Sequence, residues 1–207
     1  MARLKFICDF DRCIDCNGCS VACDSGHELP LAVRRRRVYT FNEGIPGKQF
    51  SASIACMHCK DAPCAQVCPV DCFYIRDDGI VLHDKDTCIA CGYCLYACPF
   101  GAPQFDKNGS GIFATKGVMD KCTMCAGGPD ETHSSKEHHK YGQNRIAEGK
   151  VPLCAAMCST KALIVGDAQE VDKIYSDRVK LRGYNLGNLS TPDDEASDYP
   201  LTSIMFG

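Results

Sequence analysis

The chain has 207 residues, 45% of them apolar, and a formal net charge of −3. It contains 18 cysteines, 18 glycines and no tryptophan, so a conventional apolar core is thin and cross-links through cysteine are expected to stabilise it. No nucleic-acid partner is expected, and the negative charge suits a partner with a basic docking face. No segment reaches the roughly 18 consecutive apolar residues that a membrane-spanning helix needs. We therefore expect a chain that is soluble or held at a membrane by a partner.

An even number of cysteines is compatible with a disulfide framework, but such frameworks belong to short secreted chains. The chain opens MARLKFICDFDRC, without the apolar segment of a signal peptide before its first cysteines. We therefore expect the cysteines to bind metal.

Sixteen cysteines fall into four groups, and each group closes with two cysteines four residues apart. In chain order the groups are Cys13, Cys16, Cys19 and Cys23; Cys56, Cys59, Cys64 and Cys68; Cys88, Cys91, Cys94 and Cys98; and Cys122, Cys125, Cys154 and Cys158. The closing pairs are predicted to lie on one face of a helix, one turn apart. The earlier cysteines lie among Gly, Asn, Asp and Ala, as loops around a compact ligand require.

The elements predicted around these groups are short. Helices are predicted at residues 19–26, 62–68, 92–98 and 152–158, and strands at residues 4–10, 51–55 and 162–165. FYIRDDGIVLH, residues 73–83, predicts a β-hairpin. The fold is thus expected to be α+β with little regular structure. The polar residues 171–207 are expected to form an irregular tail that wraps a partner.

The third group, CIACGYCLYACP, matches the bacterial-ferredoxin pattern C-x2-C-x2-C-x3-C-P at every position. In that pattern the fourth cysteine binds the neighbouring 4Fe-4S cluster, so the groups work in pairs. Zinc is the alternative, because CxxC repeats also build zinc sites. Zinc does not explain the third cysteine of the run or the recurring closing pairs. It stays most open for the fourth group, which has only a CxxC and a distant C-x3-C.

The spacing of the groups predicts how they pair. The second and third groups lie close together and predict an inner ferredoxin-like unit over residues 51–104. The first and fourth groups predict an outer unit over residues 1–50 and 105–170, interlocked with the inner one. The expected cofactors are four 4Fe-4S clusters, bound by Cys13, Cys16, Cys19 and Cys158 (cluster 1); Cys122, Cys125, Cys154 and Cys23 (cluster 2); Cys56, Cys59, Cys64 and Cys98 (cluster 3); and Cys88, Cys91, Cys94 and Cys68 (cluster 4).

This nesting, with a stretched fourth group, resembles the four-cluster beta subunits of molybdopterin oxidoreductases over about residues 3–168. The segments CPVDCFYIRDDGIVLHDKDTCIACGYCLYACPFGAPQF, KGVMDKCTMCAGGP and YGQNRIAEGKVPLCAAMCSTKALIVGD are similar to the beta subunits of respiratory formate dehydrogenases. The resemblance implies a non-catalytic subunit that relays electrons from a large molybdenum or tungsten pyranopterin subunit. Its acceptor would be a cytochrome of b or c type or a membrane subunit.

The cysteine pattern is also compatible with other functions. The same role in a dimethyl sulfoxide, polysulfide or thiosulfate reductase, a free polyferredoxin and a zinc-stabilised interaction module are all compatible with parts of the pattern. The resemblance also implies the periplasmic face of the inner membrane if the chain is exported with its large subunit, and the cytoplasm otherwise.

Several residues outside the four groups attract attention. The arginine run at residues 34–37 is expected to form a salt-bridged or subunit-docking face. Cys8 is expected to be a buried small side chain, and Cys72 to border a cluster. His58 is expected to pack beside the ligands. Lys121 and Lys116, of which Lys116 lies outside the residues that the structure describes, are expected to tune a reduction potential through their charge.

Overall fold

The structure is a computed structural model that describes residues 3–31, 33–106, 117–128, 138 and 144–183. Its strands are β1 Leu4–Cys8, β2 Arg37–Phe41, β3 Phe50–Ile54, β4 Phe73–Ile75, β5 Val81–His83, β6 Gln104–Phe105, β7 Met119–Asp120 and β8 Leu163–Asp167. Its helices are α1 Gly18–Gly26, α2 Pro63–Gln66, α3 Tyr93–Ala97, α4 Leu153–Met157 and α5 Ala168–Leu181, and Phe10–Arg12 form a 3₁₀ turn. The predicted α+β class is confirmed.

The strands pair as two-stranded antiparallel ladders. In the ladder of β1 with β8, Leu4 lies opposite Asp167 and Cys8 lies opposite Leu163. This ladder joins the start of the described chain to the segment that follows the fourth cysteine group. The β4–β5 ladder is the predicted hairpin, with Phe73 opposite His83. Because isolated two-stranded ribbons are only marginally stable, the ladders depend on what packs between them.

Helices α2, α3 and α4 are four or five residues long, too short to be stable by themselves. They pack in pairs, α1 against α4 and α2 against α3. Each pair brings together helices from two cysteine groups, the first with the fourth and the second with the third. The arrangement of these helices therefore places cysteines from different groups near each other.

The prediction of an irregular tail from residue 171 onward is wrong for residues 171–181. They belong to α5, which begins where the Asp167 side chain accepts a hydrogen bond from the backbone N–H of Gln169 at 3.0 Å. Val171 is buried against Ile7 and Ile164, so the helix covers the β1–β8 ladder. The rest of that predicted tail, residues 184–207, lies outside the described residues. Among the described helices, none is long and apolar enough to cross a membrane.

Candidate iron-sulfur sites

The first CxxC loop has the same backbone turn in all four cysteine groups. Two residues after the first cysteine, φ is positive at Asp15 (56°), His58 (48°), Ala90 (57°) and Met124 (57°). Each of these residues donates its backbone N–H to the sulfur of that first cysteine. Non-glycine residues rarely adopt positive φ, and such strain persists where the surroundings require it. The recurrence of this turn indicates that the four loops have the same role.

Three cavities are each bordered by one of the predicted cysteine sets. Site 2 is bordered by Cys23, Cys122, Cys125 and Cys154. Site 3 is bordered by Cys56, Cys59, Cys64 and Cys98. Site 4 is bordered by Cys68, Cys88, Cys91 and Cys94. Each set combines three cysteines of one group with the closing cysteine of another.

The fourth predicted set, termed site 1, lies at the contact of α1 with α4. Cys19 and Cys158 are buried in one cluster, and Cys13 packs against it. Cys16 lies in the loop directly before α1 and is exposed. Site 1 thus combines the first group with the closing cysteine of the fourth. In the described residues, no three His, Cys, Asp or Glu side chains converge closely enough to hold a single metal ion.

Shared buried residues place the four sites in a row. Cys154 of site 2 lies in the same buried cluster as Cys19 of site 1. Cys56 of site 3 also borders site 2. Cys64 of site 3 and Cys94 of site 4 belong to one buried cluster. The sites therefore follow one another in the order 1, 2, 3, 4.

The two ends of this row reach the protein surface. All eighteen cysteines lie in described residues, and among them Cys16 of site 1 and Cys91 of site 4 are the exposed ones. Apolar side chains surround both ends, with Ile14 63% exposed beside Cys16 and Ile89 60% exposed beside Cys91. Tyr93, also near Cys91, is 59% exposed.

Two buried cations lie between the sites. Arg36 is 3% exposed, stacks over the Phe6 ring at 4.0 Å and donates to the Ser53 backbone and hydroxyl oxygens. Burial would lower the pKa of Arg36, but cysteine thiolates of sites 1 and 2 raise it. Lys121 is fully buried, borders site 3 and donates to the backbone carbonyl oxygens of Val81 and Cys122.

Neither Arg36 nor Lys121 forms an ion pair with a carboxylate in the described part of the chain. An uncompensated buried charge is costly. Four thiolates around an oxidised 4Fe-4S cluster carry a net charge of about −2 and would compensate the two cations. The charge distribution therefore fits anionic clusters in these sites.

Burial also determines the protonation state of the cysteines that border the sites. Burial raises the pKa of Cys64 to about 11, of Cys94 to about 12 and of Cys125 to about 11. At neutral pH these sulfurs would stay protonated without a cation bound to them. Iron ligation holds such sulfurs as thiolates, so the sites fit an iron-sulfur cofactor.

The two cysteines outside the groups lie against the sites. Cys72 is buried, and its sulfur lies 3.4 Å from that of Cys68; it also hydrogen bonds Cys88. Cys8 is buried on β1, and its hydrogen bond lowers the pKa of Cys13 to about 6. The predictions that Cys8 is buried and that Cys72 borders a site are thus confirmed.

The arginine run divides between surface and interior. Arg34 lies 3.6 Å from Asp24, and its side chain is 58% exposed. Arg35 is buried and forms an ion pair with Asp120, which Lys85 also contacts at 2.6 Å. The salt-bridged alternative is therefore confirmed at Arg35. A surface docking face is wrong for Arg35 and Arg36, because both side chains are buried.

Sequence reasoning missed His27. Its side chain is 7% exposed, borders site 2 and places Nε2 3.3 Å from the sulfur of Cys125. His58, by contrast, behaves as expected: it is buried, and its Nδ1 accepts a hydrogen bond from the Val81 backbone N–H at 3.1 Å. A comparison of the positions that follow the closing cysteines in the four groups would have pointed to His27.

Known proteins support the iron-sulfur interpretation. A family model for the 4Fe-4S dicluster domain matches residues 48–136. The formate dehydrogenase iron-sulfur subunit of Wolinella succinogenes is 69% identical, over 92% of this chain and 94% of its own length. The B subunit of the anaerobic dimethyl sulfoxide reductase of Escherichia coli is 35% identical, over 83% of this chain and 77% of its own length. The B subunit of the polysulfide reductase of W. succinogenes is 31% identical, over 87% and 86%.

The alignment with the formate dehydrogenase subunit of W. succinogenes spans almost all of both chains at high identity. The dicluster model covers the second and third cysteine groups, where sites 3 and 4 lie. The chain belongs to the family of formate dehydrogenase iron-sulfur subunits, which transfer electrons through 4Fe-4S clusters and are distinct from the catalytic subunit.

Proposed function

We propose that this chain binds four 4Fe-4S clusters, one in each of sites 1 to 4, and relays electrons between the catalytic subunit of a formate dehydrogenase and an acceptor. The observation that carries the proposal is the composition of the cavities at sites 2, 3 and 4. Each is bordered by three cysteines of one group and the closing cysteine of another. The ligands are the cysteine sets predicted for clusters 1 to 4, and they make the two ferredoxin-like units interlocked.

When bound, a 4Fe-4S cluster supplies one-electron oxidation and reduction. The residues of this chain position it and set its surroundings. The positive-φ turns at residues 15, 58, 90 and 124 direct backbone N–H groups at ligand sulfur. Arg36 and Lys121 supply positive charge inside the protein, where it compensates the clusters.

The exposed ends of the row support subunit contacts at sites 1 and 4, and family resemblance supports the choice of which end faces which partner. We propose that site 1, with exposed Cys16, faces a large subunit that carries a molybdenum or tungsten pyranopterin centre. Site 4, with exposed Cys91, then faces the acceptor, a cytochrome of b or c type or a membrane subunit. The apolar side chains Ile14 and Ile89 at these ends suit subunit contacts.

The sulfur-compound reductases are the second candidate. Their B subunits match this chain at 35% and 31% identity, against 69% for the formate dehydrogenase subunit. The identity favours formate as the electron source of the complex.

The test is anaerobic purification of the native complex. Formate alone should bleach the visible absorption of the oxidised clusters to a large part of the extent that dithionite achieves. Iron analysis should give about 16 atoms per chain of this subunit. A value near 8, or zinc in place of iron, would contradict four clusters. Full iron with no response to formate, but reoxidation of the reduced complex by dimethyl sulfoxide or polysulfide, would favour the second candidate.

A further inference from the structure

The position four residues after each closing cysteine borders the same site as that cysteine. His27 follows Cys23 and borders site 2, where Cys23 lies. Residue 72 borders site 4 together with Cys68, and residue 102 borders site 3 together with Cys98. Residue 162 packs in the buried cluster that contains Cys158 of site 1. The four groups thus share one position whose residue lies against the site of its closing cysteine.

A repeated turn explains this placement in three groups. The residue before the shared position has positive φ at Asp71 (49°), Gly101 (56°) and Lys161 (54°). The backbone N–H groups of Cys72 and Ala102 then donate to the sulfurs of their closing cysteines, each at 3.4 Å. In the first group, α1 continues to Gly26, and the His27 N–H donates to the Cys23 carbonyl oxygen instead, at 3.1 Å.

The side chains at the shared position differ. Residues 102 and 162 are alanine and have no donor in their side chains, whereas residues 27 and 72 are histidine and cysteine. His27 Nε2 lies 3.3 Å from the Cys125 sulfur. A thiolate can only accept, so with Cys125 as a ligand this nitrogen donates. By the same reasoning, the single S–H of Cys72 donates to a ligand sulfur of site 4, that of Cys68 at 3.4 Å or that of Cys88.

We propose that His27 and Cys72 raise the reduction potentials of the clusters in sites 2 and 4 by donating hydrogen bonds to ligand sulfur. The inference rests on the proposed cluster ligands. A hydrogen bond to a ligand sulfur stabilises the more negative, reduced state of a cluster. Both donors are buried, with His27 7% and Cys72 3% exposed, so water screens the effect little. Neither residue binds iron; both position a proton toward a sulfur.

The test is a potentiometric titration of the complete complex, followed by electron paramagnetic resonance of the reduced clusters. In His27→Ala, the midpoint potential of one cluster should fall while the others stay unchanged. His27→Gln keeps an N–H donor and should return that midpoint toward the wild-type value. Tyr175→Phe is the control, because it also removes one side-chain donor, while Tyr175 packs against the cluster of Ile7, Ile164 and Val171 and does not line site 2, 3 or 4. It should leave all midpoints unchanged.

Cys72 provides an independent arm of the same experiment. Cys72→Ala should lower the midpoint of a different cluster from the one that His27→Ala affects, and Cys72→Ser, which keeps a donor, should restore it. Unchanged midpoints in both alanine variants with full iron content would overturn the inference, as would a shift in His27→Ala that His27→Gln does not reverse. If His27→Ala does not assemble, the Cys72 pair decides. Iron content below four clusters in the wild-type complex would instead contradict the proposed function.

Discussion

Asp120→Asn should destabilise the protein strongly, because the Asp120 carboxylate contacts both Arg35 and Lys85 in the interior. Its Oδ1 accepts from Arg35 Nε at 2.5 Å, and its Oδ2 from Arg35 Nη2 at 2.8 Å and Lys85 Nζ at 2.6 Å. Asp120 is 6% exposed, Arg35 2% and Lys85 8%. Burial would raise the pKa of the Asp120 carboxyl, but Arg35 and Lys85 hold it well below its usual range.

The magnitude follows from what the substitution leaves behind. Asparagine keeps the shape and one acceptor oxygen but removes the charge, so two buried cations lose their shared anion. Breaking a buried ion pair costs about 3–5 kcal/mol, and we take the lower value because one acceptor remains. Cluster release makes unfolding irreversible, so the observable is a rate. If half of about 3 kcal/mol is lost at the transition state, the rate rises roughly tenfold.

The assay follows the loss of visible cluster absorption in a fixed concentration of guanidinium under anaerobic conditions. Glu148→Gln is the matched control. Glu148 pairs with Lys150 at 2.8 Å at the surface, and such pairs contribute about 0–1 kcal/mol. Its release rate should change by no more than about threefold. Equal rates in Asp120→Asn and wild type would refute the ion-pair reasoning. In Lys85→Met with Asp120→Asn, part of the lost stability should return.

Two further predictions concern α5 and the cofactor. Val171→Asp should detach α5 from the β1–β8 ladder, because Val171 is 1% exposed, and should leave the iron content unchanged. Faster hydrogen exchange in residues 4–8 and 163–167 would show this detachment. Ile174→Asp, at a 44% exposed position, should not accelerate that exchange. Complete removal of the clusters by oxidation and chelation should unfold the chain, because the metal-ligand bonds replace a missing apolar core; a retained native circular-dichroism spectrum would contradict that dependence.

The parts of the fold that the sequence predicts are those set by local spacing. The helix at residues 19–26 and the hairpin over residues 73–83 depend on neighbours within a few residues, and both are present. The cysteine sets of sites 3 and 4 come from two groups that lie close in the chain. The ferredoxin-like pattern CIACGYCLYACP predicts that its closing cysteine joins a neighbouring group, and these sets border the cavities at sites 3 and 4.

Two elements of the structure, strand β2 and helix α5, are absent from the sequence-based prediction. The strand at Arg37–Phe41 pairs with Phe50–Ile54 and is absent from the predicted elements, although Val38, Tyr39, Thr40 and Phe41 are residue types that favour strands. Its first residue belongs to the arginine run, which is interpreted as a charged face. Helix α5 presents a narrow stripe to the ladder, in which Val171 and Val179 are the buried residues. The apolar residues Val171, Ile174, Tyr175 and Val179 nevertheless recur at helical spacing, so the 3.6-residue period is a signal that could have predicted this helix.

Arg36 shows why charge patterns mislead in a protein of this kind. A run of four arginines predicts a solvent-exposed face, because burying a guanidinium is normally unfavourable. That expectation holds only where the protein interior is uncharged. In the proposed cluster-bound protein, anionic clusters in sites 1 and 2 would make the interior the negative partner, and the thiolates there raise the pKa of Arg36. In cluster-binding chains, buried arginine and lysine are therefore to be expected beside the cysteine groups, as Arg36 and Lys121 are here.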